Sequence, residues 1–240
     1  MEKMLDGKTA IVTGASRGIG KTIAIALGRE KMRLALLARS TDKLQEVVDE
    51  IQAVGGEAVA FPCDLMNSGA VKNSLKSVFQ RFSVLDVLIS NAGIFLEKAI
   101  TDIELEEWDK VLRTNLTGTF LLCQGAFAKM KIQKRGRIIA IASSASIQGY
   151  THQAAYCASK HGLLGFTRCL SIEARAHNVH VHTICPGGVR TGLIKDTYMG
   201  ERVSQGPLIE PDNIADLVLY LIRQPENIDI PEINLKRFAV

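Results

Sequence analysis

A hydroxyl, a phenol and an ammonium are gathered in one short stretch, SSASIQGYTHQAAYCASK, which runs from Ser143 to Lys160. Tyr156 and Lys160 stand four apart, a spacing that stacks two side chains on one face of a helix about one turn from each other. A phenol with an ordinary pKa of about 10 is a poor acid or base at neutral pH, and a neighbouring cation favours its ionised form. The expected effect of Lys160 is therefore to lower the Tyr156 pKa. Ser143 follows an apolar run, GRIIAIA, that reads as a buried strand, so its hydroxyl falls at a strand's C-terminal edge, where open α/β sheets bind ligands. The chemistry such a trio can do is proton transfer to or from an oxygen, with Ser143 hydrogen-bonding that oxygen. Tyr-x-x-x-Lys is frequent by chance, so the rest of the chain has to decide whether this pair is more than a surface tyrosine and a solvated lysine.

The front of the chain supplies a second site. TAIVT (residues 9–13) is a short β-branched run, followed at once by GASRGIG and then by KTIAIALGRE with helical spacing. In a strand–turn–helix of this kind, Gly14 suits the tight turn, Gly18 the approach of backbone to a phosphate, and Gly20 close helix–strand packing. The helix N-terminus then offers free N–H groups to an anion. The next strand, RLALLAR, ends at Arg39, where an acidic residue would hydrogen-bond the 2′-hydroxyl of NAD. Arg39 and Arg17 can instead pair with the 2′-phosphate of NADP, with Ser16 adding a hydrogen bond, so the expected cofactor is NADP(H) rather than NAD(H). Asp64 lies just past the third strand, placed either to meet an adenine amino group or to cap a turn or helix.

These positions recur because strand and helix alternate throughout. TDKLQEVVDEIQAVGG reads as a helix with Thr41 as N-cap and a stop at Gly55 or Gly56, residues 67–82 as another helix, VLDVLIS as a strand ending in Asn91–Ala92–Gly93, and VHVHTIC as the sixth strand. With right-handed crossovers the pattern predicts one doubly wound Rossmann-type α/β domain over residues 1–240, a mainly parallel sheet of six to seven strands covered by helices on both faces. A single long helix is expected from about Glu104 to Met130. It is apolar on most sides, which calls for a second partner besides its own sheet and suggests a subunit contact. Asn115 inside it is unfavourable for a plain helix interior, so either its side chain or a bend in the backbone is expected to serve a site. Pro186 to Gly192, PGGVRTG, reads as a rigid turn suited to clamp an amide. Residues 193–208 lack periodicity and read as a lid, and the last helix begins at Pro211. A final strand is expected around Ile233–Leu235.

Composition excludes several classes. The net charge of +4 comes from 29 basic against 25 acidic residues, and the basic ones are dispersed, which argues against a nucleic-acid surface. No apolar stretch approaches membrane-spanning length, and no apolar leader precedes the first strand. The five cysteines are odd in number, scattered and never in C-x-x-C, which signals neither a disulfide framework nor a metal site and fits a reducing cytoplasm. His180 and His182 share one strand face, as two ligands would, but lack a third and read as structural.

Taken together, TGASRGIG (Thr13 to Gly20), NAG (Asn91 to Gly93), Asn115, Ser143, YCASK (Tyr156 to Lys160) and PGGVRT (Pro186 to Thr191) resemble the short-chain dehydrogenase/reductase family across nearly the whole chain. The resemblance implies an NAD(P)(H)-dependent oxidoreductase whose catalytic residues are Asn115, Ser143, Tyr156 and Lys160. Tyr156 would donate or remove the proton, Lys160 would lower its pKa and hold the ribose hydroxyls, Ser143 would polarise the substrate oxygen, and Asn115, through a helix kink and a water, would support Lys160. It further implies that Gly14, Ser16, Arg17, Gly18, Ile19, Gly20, Arg39, Asp64, Asn91 and Thr191, with Tyr156 and Lys160, contact the cofactor. A homo-oligomer is implied, with the Asn115 and Tyr156 helices as faces. The chain departs from many members in ending INLKRFAV rather than in an apolar strand with Asp-Gly-Gly, which leaves dimer and tetramer both open. The tail is similar to serine or 3-hydroxy acid dehydrogenases and the front half to 3-oxoacyl-carrier-protein reductases, so the implied substrate is a small or carrier-linked ketone. An NADP-binding redox sensor and a dimerisation module without turnover are the alternatives, and neither requires Tyr156 poised near Lys160.

Overall fold

Successive strand residues point to opposite faces, so an apolar run without polar alternation needs cover on both sides. The computed structural model, which describes residues 5–193 and 207–238, provides it. Strands β1 (Thr9–Thr13), β2 (Arg33–Ala38), β3 (Glu57–Pro62), β4 (Val87–Ser90), β5 (Gly136–Ile141), β6 (Val179–Pro186) and β7 (Glu232–Leu235) form one sheet in the order β3-β2-β1-β4-β5-β6-β7. Every neighbouring pair is parallel. Ala10, Val12, Val87 and Ile89 face one core with helices α1 (Gly18–Arg29), α2 (Thr41–Ala53) and α7 (Pro211–Ile222). Ile11, Leu88 and Ile138 face the other with α3 (Ser68–Arg81), α5 (Gly118–Gln133) and α6 (Ala154–Arg175).

The strand order reverses between β1 and β4: the chain runs outward through β2 and β3, then returns to the other side of β1. Crossovers leave in opposite directions there, which opens a crevice at the strands' C-terminal ends. Thr13 and Asn91 stand on its two lips. The Thr13 hydroxyl accepts from the backbone N–H of Asn91 at 3.0 Å and of Ala92 at 3.1 Å, while the Asn91 side-chain amide donates to the Thr13 carbonyl at 3.0 Å. The crevice floor is thereby fixed by side chains where the sheet ladder ends.

Three local expectations are corrected. The helix beginning near residue 41 is capped by the Ser40 hydroxyl, which accepts from Lys43 N, not by Thr41, which is already helical. Strand β4 starts at Val87 because Leu85 and Asp86 are engaged otherwise: the Gln133 amide brackets the Leu85 backbone, and Asp86 Oδ2 accepts from Thr9 N at 2.9 Å. The expected single helix from Glu104 to Met130 is three pieces, α4 (Leu105–Leu112), a π-helical turn (Arg113–Thr117) and α5. A π turn inserts one extra residue per turn and re-aims the side chains within it; here it drives Asn115 inward. Of the expected lid over 193–208, residues 194–206 lie outside the described residues.

Candidate active site

The glycine turn is built by steric exclusion. Gly14 has φ of +64°, a region costly for a residue with a side chain, and a Cβ at Gly20 would lie 2.3 Å from the Gly14 carbonyl oxygen and 2.5 Å from Asn91 Nδ2. Helix α1 can start this close to β1 and β4 only because both positions lack side chains. Its N-terminus opens onto a cleft of about 730 Å³. Gly14, Ser16, Arg17, Gly18 and Ile19 line it, together with Arg39, Ser40, Lys43, Asp64, Asn91 and Thr191. Gly20, the remaining residue expected at the cofactor, is buried beneath the turn rather than exposed to the cleft. Asp64 holds a turn, its Oδ1 accepting from Met66 N at 3.0 Å, and Asn91 spends its amide on Thr13. Both therefore act first on the shape of the cleft. The Thr191 methyl stands opposite the glycine turn, 3.5 Å from where a Gly18 Cβ would be.

A second cavity, about 390 Å³, adjoins the first and shares Ile19, Asn91, Gly93 and Thr191 with it. Ser143, Tyr156 and Lys160 all line it. Ser143 stands just beyond β5 as the cap of a short 3₁₀ turn, its Oγ accepting from Ala145 N at 3.1 Å. Tyr156 and Lys160 occupy the first two turns of α6, and Lys160 Nζ lies 5.8 Å from the centre of the Tyr156 ring. Phe95 packs edge-on against that ring at 5.0 Å and 73°.

Burial dominates the protonation of both groups. It pushes the Tyr156 phenol up to about 12, opposed by a hydrogen bond with Ser143, and it pushes the Lys160 ammonium down to about 8. The expected lowering of the tyrosine pKa by Lys160 is thus not found: removing both groups from water outweighs a cation that is itself poorly solvated. At neutral pH the pair is a protonated phenol beside a largely protonated ammonium, which is what a proton donor to a developing alkoxide requires. Lys160 Nζ donates to the Ile141 carbonyl at 3.1 Å, which aims it along the end of β5.

Asn115 is 1% exposed and hydrogen-bonds neither Tyr156 nor Lys160 with its side chain. Its Oδ1 accepts from Ile94 N at 2.8 Å, and its Nδ2 donates to Ile94 O at 2.9 Å and to Ser159 Oγ at 3.1 Å. Ser159 in turn donates to Tyr156 O at 2.7 Å. The π turn, the loop after β4 and the first turn of α6 are tied together through this one amide. Sequence reasoning placed Asn115 at the site but missed Ser159, Thr13 and Lys43. Ser159 lies beside Lys160 in the sequence, and only its bond with Asn115, 44 residues away, shows what it does. Among the described residues no cluster of three His, Cys, Asp or Glu side chains could hold a metal ion.

Comparison with known proteins bears on this geometry. The family model described as short chain dehydrogenase matches residues 8–201. The chain belongs to the short-chain dehydrogenase/reductase family. Members of that family bind nicotinamide cofactors, and the chain is an oxidoreductase of that family. Among relatives of this short-chain dehydrogenase, the 3-oxoacyl-(acyl-carrier-protein) reductase of Synechocystis sp. is 37% identical, over 92% of this chain and 91% of its own. A short-chain dehydrogenase/reductase from Mycobacterium marinum superposes with a TM-score of 0.91 at 31% identity, covering 98% of this chain and 96% of that one. A metagenomic short-chain oxidoreductase solved in complex with NADP has a TM-score of 0.86 at 36% identity, covering 98% and 99%.

Proposed function

We propose that this protein is an NADPH-dependent carbonyl reductase that reduces a 3-oxo compound, either a small one or one carried as an acyl thioester, with Tyr156 as proton donor. The observation that carries the reading is the convergence of Ser143, Tyr156 and Lys160 on a cavity that opens directly into the dinucleotide cleft. Bound nicotinamide supplies the hydride for reduction and accepts it in the reverse direction. Ser143 Oγ and the Tyr156 hydroxyl, which line the same cavity, together receive the substrate oxygen, and the proton that oxygen gains comes from Tyr156. Lys160 holds the ribose hydroxyls and keeps a positive charge beside the phenolate that remains. Asn115 acts as a positioning residue, fixing the loop after β4 against α6.

Arg17 and Arg39, both exposed and both lining the cleft, bind the 2′-phosphate, and Ser16 and Lys43 line the same cleft. Gly14, Gly18, Ile19, Asn91 and Thr191 line the path of the cofactor, with Gly20 beneath the turn and Asp64 at the adenine end. The NADP complex of a relative 36% identical supports this preference, and the reductase relatives support the substrate class. The chain works as a homo-oligomer, through a face that includes Phe120 and Ile172, exposed on α5 and α6. The five cysteines are unpaired, which supports residence in a reducing cytoplasm. No helix among the described residues is long and apolar enough to cross a membrane.

The test is oxidation of NADPH and NADH, followed at the nicotinamide absorbance, against 3-oxo acids, 3-oxoacyl thioesters, diketones and quinones. Tyr156→Phe keeps the ring that packs on Phe95 and is expected to lower kcat at least about 100-fold while leaving NADPH affinity within twofold. Unchanged turnover by Tyr156→Phe removes the mechanism, and tight NADPH binding without turnover of any ketone by the unmodified chain moves the function to redox sensing.

A further inference from the structure

Ser143, Tyr156 and Lys160 serve one oxygen of a substrate, yet the 390 Å³ cavity holds further hydrogen-bonding side chains that the reaction does not use. Ser144, Gln148, Tyr150 and Gln153 all line it. Three of them form a chain that starts at the surface. The side-chain amide of the exposed Gln148 donates to the Tyr150 hydroxyl at 2.6 Å, and Tyr150 donates to Ser144 Oγ at 2.8 Å. A phenol that accepts from an amide gives its own proton to the next group, so the Ser144 hydroxyl accepts here and keeps its own O–H to donate. Among the described residues Ser144 Oγ has no other hydrogen-bond partner. Ser144 opens the 3₁₀ turn that Ser143 caps, so this spare donor is next in the chain to the hydroxyl that receives the reacting oxygen.

Gln153 reaches the cavity from a different element. It is the N-cap residue of α6, three residues before Tyr156, and its backbone carbonyl accepts from Cys157 N at 2.7 Å. The residue is 3% exposed, and its side-chain amide makes no hydrogen bond with any described residue. A primary amide carries two donors and one acceptor, and taking it out of water without partners is costly. An oxygen of a ligand in the cavity satisfies it. Phe95, Ile147 and Val189 make the surrounding wall apolar, a setting in which a few placed donors fix the orientation of what binds and each hydrogen bond is strengthened.

We infer that Ser144 and Gln153 donate to a second oxygen of the substrate, the C1 carbonyl of a 3-oxo compound, while Ser143 and Tyr156 hold the C3 oxygen that is reduced. The cavity thereby selects 1,3-dicarbonyl compounds over simple ketones, and Tyr150 and Gln148 are positioning residues that aim the Ser144 hydroxyl. This rests on the reading of the cavity as a carbonyl reductase site. In a 3-oxo compound one carbon separates the two carbonyls, and each of the two donor pairs has its members close along the chain to those of the other: Ser144 follows Ser143, and Gln153 precedes Tyr156 by about one turn. An ester and a thioester present the same C1 oxygen, so the site admits a small or a carrier-linked substrate.

The experiment uses the full chain with NADPH and a matched pair of ketones, ethyl acetoacetate and heptan-2-one, which have main chains of equal length and differ in the ester group. The quantity read is the ratio of kcat/KM for the ester over heptan-2-one, and comparing it between variants cancels the difference in intrinsic reactivity. In Ser144→Ala/Gln153→Leu the ratio is expected to fall about tenfold or more, mainly through KM, and in each single variant about threefold. Ser144→Thr keeps the hydroxyl and is expected to retain most of the ratio. Tyr150→Phe keeps the ring but not the bond to Ser144, and is expected to lower the ratio about threefold, through KM rather than kcat. A ratio that stays constant in the double variant overturns the inference, as does an equal loss on both ketones, which marks a merely structural role. If the unmodified chain reduces neither ketone, the reductase reading fails by itself, and calorimetric titration of the chain loaded with NADP⁺ decides the oxygen site. Ester binding about tenfold tighter than heptan-2-one, with that preference lost in the double variant, sustains it; equal affinity for the two, a preference that survives in the double variant, or no binding of the ester refutes it.

Discussion

Lys160→Met should stabilise this protein while destroying its activity. Lys160 is 4% exposed, and burial pushes its ammonium from 10.5 down to about 8. At about 1.4 kcal/mol per pKa unit, the folded state resists that charge by about 3 kcal/mol. Methionine removes the charge and keeps a flexible apolar stem of similar length. Against this, the Ile141 carbonyl loses its donor, which costs about 1–2 kcal/mol for a buried acceptor. The net gain is about 1–2 kcal/mol at pH 7, or roughly 2–8 °C in Tm for a chain of this size. The pH dependence carries the sign. Below pH 8 Lys160 is protonated in both states and the cost is at its full value. Between about 8 and 10.5 the unfolded chain keeps the proton that the folded chain has lost, so the stability of the unmodified protein rises with pH and the gap between the two closes. Scanning calorimetry at pH 7 and pH 10, without added nucleotide, measures it. A variant that melts lower at pH 7, or a gap that does not narrow by pH 10, refutes the argument that burial rather than pairing governs this lysine.

Arg39→Ala and Arg17→Ala should each raise KM for NADPH about tenfold or more and leave KM for NADH nearly unchanged, measured by initial rates with either nucleotide, because only the 2′-phosphate distinguishes the two. Gly20→Ala places a methyl 2.3 Å from the Gly14 carbonyl oxygen, where backbone must shift; fluorescence titration should show NADPH affinity lost, with a Tm drop of several degrees. Acid should weaken the fold through His182, which is buried, donates Nδ1–H to Ile230 O at 2.8 Å and faces the Arg137 guanidinium, with His180 stacked on it and Glu226 and Asp229 nearby. Desolvation holds its pKa down to about 4, so folding favours the neutral ring, and stability is lost as pH falls from 6.5 towards 4, by about 3 kcal/mol if the ring stays buried. Chemical denaturation at pH 7 and pH 4.5 should show a smaller loss for His182→Gln than for the unmodified chain.

Much of this protein was determined by local sequence. Short unbroken apolar runs between amphipathic helical segments read as strands buried on both faces, and the helices between them favour parallel pairing, so the doubly wound sheet, the glycine turn and the Tyr156–Lys160 helix were legible one segment at a time. Spacing alone also placed Ser143 at a strand edge. Tertiary structure decided what depends on partners far along the chain. Asn115 marked a possible bend, but the π turn at Arg113–Thr117 could not be located from the sequence, because it is held by the bond between Asn115 and Ile94, 21 residues away. That the Asn91 amide also closes β1 against β4 through Thr13, 78 residues away, is visible only in the fold. The charges of Tyr156 and Lys160 followed burial, which no i,i+4 spacing records: a neighbouring cation lowers a phenol's pKa only if solvent loss does not act more strongly, and the depth of the cavity is set by the whole fold.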